Sequence, residues 1–110
     1  NAAVLLTRVI SKPGSDRLTL DLGYKSVASE QPHPRVQFIG LDDDEAVVHS
    51  EEHLTLRTAD AASFKVGDCL YGIPRHICPT VALYDRAHVI RGGKLADQWQ
   101  VTARARKLTY

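Results

Sequence analysis

The sequence predicts an all-β domain, mainly antiparallel, forming a small β-barrel or sandwich with at most short helical turns. Three features point there. Short runs of β-branched and aliphatic residues alternate with polar ones at period two, turn-forming residues separate the runs at regular spacing, and no long segment repeats its apolar residues at the helical period. Eight or so short strands of this kind suit a closed or double-layered antiparallel architecture.

The first run is Val4 to Ser11, "VLLTRVIS", which ends at the turn signal "SKPGSD". Next, "RLTLDLG" alternates Leu18, Leu20 and Leu22 with Thr19 and Asp21, so the leucines face a core and Asp21 faces away. Two prolines make "SEQPHP" a loop, and "RVQFIGL" forms a third strand that stops at the acidic turn "DDDE". A short strand "AVVHS" precedes "HLTLRT", where Leu54 and Leu56 point inward. The stretch "ADAASF" supports one short turn at most, and a Gly67-Asp68 turn leads into a strand from Cys69 to Ile73. The C-terminal part reads as two strands joined near Gly92-Gly93, with Trp99, Val101 and Ala103 on one face against Gln98, Gln100, Thr102 and Arg104 on the other. There is no internal repeat, linker or low-complexity tract, so residues 1–110 form a single β-domain.

Composition removes several classes of function. The chain has 110 residues, 44% hydrophobic and 25% charged, as an ordinary globular domain does. Its formal net charge of +1 gives no field to hold a phosphate backbone, so nucleic acid is not expected as a partner. No apolar run approaches the roughly 20 residues that span a bilayer, and the start lacks the basic and apolar regions of a secretory signal, so no membrane and a cytoplasmic location are expected. The two cysteines, Cys69 and Cys78, are expected as free thiols or as a thiolate ligand. The opening "NAAVLL" and the lack of any methionine lead to a further expectation: Asn1 and Ala2 are remnants of an excision, and the chain is a piece of a longer protein.

The chemistry concentrates in "PRHICPTVALYD", Pro74 to Asp85. In extended backbone, residues two apart point the same way, so His76 and Cys78 aim an imidazole nitrogen and a sulfur at one place. Zinc takes such ligands at roughly 2.0–2.1 Å and 2.3 Å, and a site with two protein ligands keeps positions open for Lewis-acid work. Pro79 biases Cys78 toward the extended form this needs. The plainer reading is a satisfied histidine beside a buried thiol.

A second cluster, "HSEEH", holds His49, Glu51, Glu52 and His53. Histidines four apart make a zinc motif only on a helix, and this pair lies between strand patterns. It reads as a solvated acidic bend, or alternatively as the source of a contact from His49 or His53 to the back of the His76 and Cys78 site. Asp21 and Lys25 read as a surface pair and "RARK" as a solvated basic face. No glycine-flanked serine or glycine-rich phosphate loop is present.

Taken in order, "LDLGYKSVASE", "HSEEH", "VGDCLYGIP" and "PRHICPTVALYD" resemble the C-terminal domain of the D-threonine aldolase and D-serine dehydratase family, pyridoxal-phosphate enzymes of the alanine racemase type. The resemblance spans roughly residues 5–108. It implies that His76 and Cys78 bind a divalent metal, zinc with the cysteine form of the pair, beside the cofactor and against the substrate's β-hydroxyl. It further implies that pyridoxal phosphate binds a lysine of an N-terminal (β/α) barrel absent from this chain. Lys25 has no such setting, so neither a catalytic nor a cofactor-binding residue is expected here, and the isolated fragment is expected to be inactive. The implied partners are the chain's own barrel domain, a second subunit in a homodimer, and a small D-amino acid. Cleavage, dehydration and racemisation are not distinguished. A different class fits the same pattern: a non-catalytic β-barrel that makes protein contacts.

Overall fold

The leucines of "RLTLDLG" and "HLTLRT" line up side by side on one face of a sheet, and this pairing organises the domain. In the computed structural model, which describes residues 1–110, β1 (Leu5–Gly14), β2 (Arg17–Leu20), β3 (Val36–Phe38), β4 (Glu45–His49), β5 (Leu54–Arg57) and β6 (Cys69–Pro74) form one sheet in the order β3-β6-β1-β2-β5-β4. Every neighbouring pair is antiparallel, and the sheet curls as half of a barrel. Leu18 lies opposite Leu56 and Leu20 opposite Leu54 on the concave side, while Thr19 and Thr55 pair outside with hydroxyls 3.1 Å apart. Such directly opposed pairs fix the register, because a slip of one residue would send every leucine to solvent.

The core cluster holds thirteen buried residues, among them Leu5, Val9, Leu18, Leu20, Leu22, Val27, Val36, Phe38, Leu54 and Leu56. Full burial of one such leucine contributes about 1.5–3 kcal/mol. Thr7 also faces inward from β1, and its hydroxyl donates to Asp21 Oδ1 at 2.6 Å, an oxygen that also accepts from the Arg8 amide at 2.7 Å. Asp21 therefore serves the β1–β2 junction rather than Lys25.

Most sequence-predicted strands are present, with two corrections. The first strand runs on through Lys12, Pro13 and Gly14, and its pairing with β2 shifts register twice there; irregular pairing is where a strand tolerates proline. The second correction is larger. Strands β7 (Arg86–Arg91) and β8 (Lys94–Gln100) form a separate hairpin. Its turn is Gly92-Gly93 with φ of 56° and 73°, a pair of left-handed residues that matches the twist of a two-residue hairpin. The strand does not carry the predicted face through Val101 and Ala103: β8 ends at Gln100, residues 102–104 make a 3₁₀ turn, and Trp99 is 58% exposed. The alternation is real, but no second layer lies against it.

"ADAASF" makes one 3₁₀ turn, Ala59–Ser63, begun by the Thr58 hydroxyl accepting from the Asp60 amide at 3.2 Å. One α-helix, α1 (Ile77–Val81), follows β6 directly. No helix is long and apolar enough to cross a membrane.

Candidate metal centre

His76 and Cys78 straddle the step from β6 into α1. His76 is extended (φ −132°, ψ 102°) and caps the helix, whereas Cys78 is already its second residue. The expected extended His-x-Cys segment is thus a strand-to-helix junction instead. Pro79 fits because the first helical turn has no internal partner for its missing N–H. Both side chains lie at the surface: His76 is 44% exposed, and Cys78 is an exposed free thiol, as is Cys69. The reading of a buried thiol beside a packed histidine therefore fails on burial.

A loop lies along this junction, and its contacts follow one another in antiparallel order. The Tyr84 hydroxyl donates to the Ser26 carbonyl at 2.7 Å, and the Thr80 hydroxyl accepts from the Ala28 amide at 3.1 Å while donating to the His76 carbonyl at 2.7 Å. Glu30 Oε1 then meets His76 Nδ1 at 2.5 Å. Beyond it, Arg75 Nη1 donates to the Pro32 carbonyl at 3.1 Å and the Arg75 amide to the Arg35 carbonyl at 2.8 Å. The prolines of "SEQPHP" keep the loop out of both helix and strand, leaving its side chains and carbonyls to make these bonds.

The electrostatics follow from the same contacts. The His76 hydrogen bond holds the Glu30 carboxyl below its ordinary range, and burial pushes the Tyr84 hydroxyl up. A carboxylate only accepts, so the His76 proton sits on Nδ1 and a neutral ring keeps a bare lone pair on Nε2. Metal-binding histidines are supported in this way. The donor set of one imidazole nitrogen and one thiolate sulfur suits zinc, so the residues present fit such an ion. No group of three or more His, Cys, Asp or Glu side chains gathers as a possible metal site anywhere in the chain, so His76 and Cys78 stand as a pair of ligands only. An open groove of about 450 Å³ runs beside the junction past Val36, Asp44, Pro74 and Arg75, but neither His76 nor Cys78 lines it.

"HSEEH" is the β4–β5 turn, and it does not reach His76. Lys25 pairs with Glu51 at 3.0 Å and Glu52 at 2.7 Å, and these bonds, Glu52's first, hold its ammonium well above the usual lysine range. The partner behind His76 is Glu30, where the sequence pointed to His49 or His53. Nothing local announces it, since Glu30 and His76 stand 46 residues apart. His49 belongs to a separate group. Its Nδ1 lies 2.9 Å from Arg35 Nη1, and its ring meets those of His33 and Tyr24 edge-on at 5.6 and 5.8 Å. Burial, then the Arg35 charge, lowers the pKa of both His33 and His49; for His49 the His33 charge adds to this. An unfolded chain therefore takes up protons at these rings before the folded chain does. Stability should be at its full value above about pH 6.5 and fall as pH drops below that. Melting curves from pH 7.5 to 5 should show this loss, and His49→Gln should flatten it; an unchanged slope in the variant would count against the assignment.

Comparison with known proteins places the chain. The family model described as a serine dehydratase domain matches residues 2–90. The chain belongs to the serine dehydratase domain family. Within that family's reach, it is 32% identical to a D-threonine aldolase from an Arthrobacter species, over 94% of this chain but 27% of that enzyme. It is 35% identical to an uncharacterized protein of Mycobacterium tuberculosis, over 96% of this chain and 82% of that protein. In fold it is similar to the crystal structure of D-threonine aldolase from Filomicrobium marinum, with a TM-score of 0.82, 24% identity, and coverage of 92% of this chain and 28% of that one. The chain thus spans about a quarter of the enzymes it matches and most of the mycobacterial protein.

Proposed function

We propose that this chain is the metal-holding domain of a pyridoxal-phosphate-dependent lyase acting on β-hydroxy-D-amino acids by aldol cleavage or dehydration. The observation that carries the proposal is His76 with its Nδ1 committed to Glu30, two residues from an exposed thiol. His76 and Cys78 would hold the ion, zinc or another divalent cation, from either side of the β6–α1 junction. Once bound, such a cation lowers the pKa of a hydroxyl brought against it, which favours either loss of its proton or departure of the oxygen. Pyridoxal phosphate would supply the electron sink from a separate (β/α) barrel domain. This chain's share is to present two ligands on a surface that the barrel, and a second subunit, would cover. Among solved structures of this fold is a D-threo-3-hydroxyaspartate dehydratase, known as a histidine variant and as a cysteine variant in a metal-free form.

The test is metal uptake by the 110-residue chain purified without an affinity tag. After zinc loading and gel filtration, elemental analysis should find stoichiometric zinc in the wild type and none in His76→Ala, with both proteins folded. Zinc retained by His76→Ala, or none in the wild type, would refute the assignment. A second reading has its own support: the mycobacterial relative, 35% identical, is matched by this chain over 82% of its own length. A domain in so short a chain can act as a contact module, and that reading requires no metal uptake at all.

A further inference from the structure

We propose that Glu30 is the positioning residue of this centre, fixing the His76 tautomer and holding the ring where Nε2 can take a cation. This rests on the metal reading given above. Three observations separate the pair from an ordinary surface contact, whose charges drift apart with their long side chains.

The first is chemical. Glu30 Oε1 lies 2.5 Å from His76 Nδ1, and because the carboxylate cannot donate, it selects the Nδ1–H tautomer. The second is that both backbones are held on each side of the contact. Thr80, 1% exposed, joins the Ala28 amide to the His76 carbonyl through its hydroxyl, and Arg75 joins the same loop again at Pro32 and Arg35. Glu30 sits between these two ties, so its reach to His76 is set by the fold. The third is that His76 stands in extended backbone just ahead of α1 and makes no side-chain cap bond to that helix, so its ring is bonded to the loop instead. Outer partners of this kind are worth roughly 10–100-fold in metal affinity.

The experiment uses the 110-residue chain, with Co²⁺ as the probe ion and ¹⁵N NMR of the histidine rings. The wild-type apo protein should show His76 protonated on Nδ1 and unprotonated on Nε2. Glu30→Ala should lose that tautomer and bind cobalt about 10–100-fold more weakly, with an unchanged melting temperature. Glu30→Gln, which keeps an acceptor oxygen, should recover part of both. Wild-type cobalt affinity in Glu30→Ala, alongside loss of binding in His76→Ala, would overturn the role of Glu30 and leave the metal centre standing. A wild-type His76 protonated on Nε2 would overturn the role directly. A wild-type chain that binds no cobalt would remove the centre and this role with it.

Discussion

Gly23→Ala should strongly destabilise this domain at 25 °C. A methyl group at residue 23 would overlap the carbonyl of Glu51 and the amide nitrogen of Glu52. Those are backbone atoms, and no rotamer change moves them aside. They are also pinned: the Tyr24 amide donates to the Ser50 carbonyl at 2.9 Å, the Lys25 amide to the Glu51 carbonyl at 3.1 Å, and the Ser50 amide to the His53 carbonyl at 2.8 Å. The glycine is required for close approach rather than for an unusual backbone angle. It is what lets "DLGYK" lie directly beneath "HSEEH". Opening that contact tilts the β4–β5 turn away from the end of β2 and exposes Leu22 and Leu54. The expected loss is about 4 kcal/mol or more, a large share of the 5–15 kcal/mol that holds a typical domain together. Urea denaturation followed by circular dichroism measures it directly, and a midpoint close to that of the wild type would show that the two segments can separate at little cost.

The second large effect concerns metal choice at Cys78. Cys78→Ala would remove one of the two protein ligands of the proposed centre, so zinc affinity should fall by more than the roughly 100-fold at which outer partners are valued. Cys78→Asp should do something different. It replaces a soft donor by a hard one, which should restore binding of manganese or magnesium while leaving zinc weaker than in the wild type. Competition against a chromophoric chelator, run with each ion on the three proteins, gives the ranking. An unaltered zinc preference in Cys78→Asp would mean that the sulfur is not a ligand. The thiol is exposed and begins a helix, so neither substitution disturbs the core.

The sheet was legible in the sequence because its signal is local. Leu18, Leu20 and Leu22 alternate without interruption, Leu54 and Leu56 repeat the pattern, and both sets are buried where the alternation puts them. The Gly-Gly hairpin was equally plain. Helix α1 was not, since "ICPTV" is five residues long, has three β-branched side chains and a proline, and shows no helical period. It forms because its place in the fold supplies what propensity lacks, including the Thr80 hydroxyl on the His76 carbonyl. His76 and Cys78 were singled out by their types and spacing, and the backbone between them bends where an extended one was expected. Glu30 was out of reach for a different reason: only the folded loop brings it to the imidazole. At the C-terminal end alternation tells which residues share a side, but neither where the strand stops nor whether anything covers that side.

The detached hairpin matters to anyone who follows this protein by its optical signals. The chain has one tryptophan, and it stands on β8, away from the thirteen-residue core. Indole emission therefore reports on the arm and says little about the sheet. Denaturation traced by that emission and by backbone ellipticity should give different curves, and the difference would reflect the position of the fluorophore before any folding intermediate needs to be invoked.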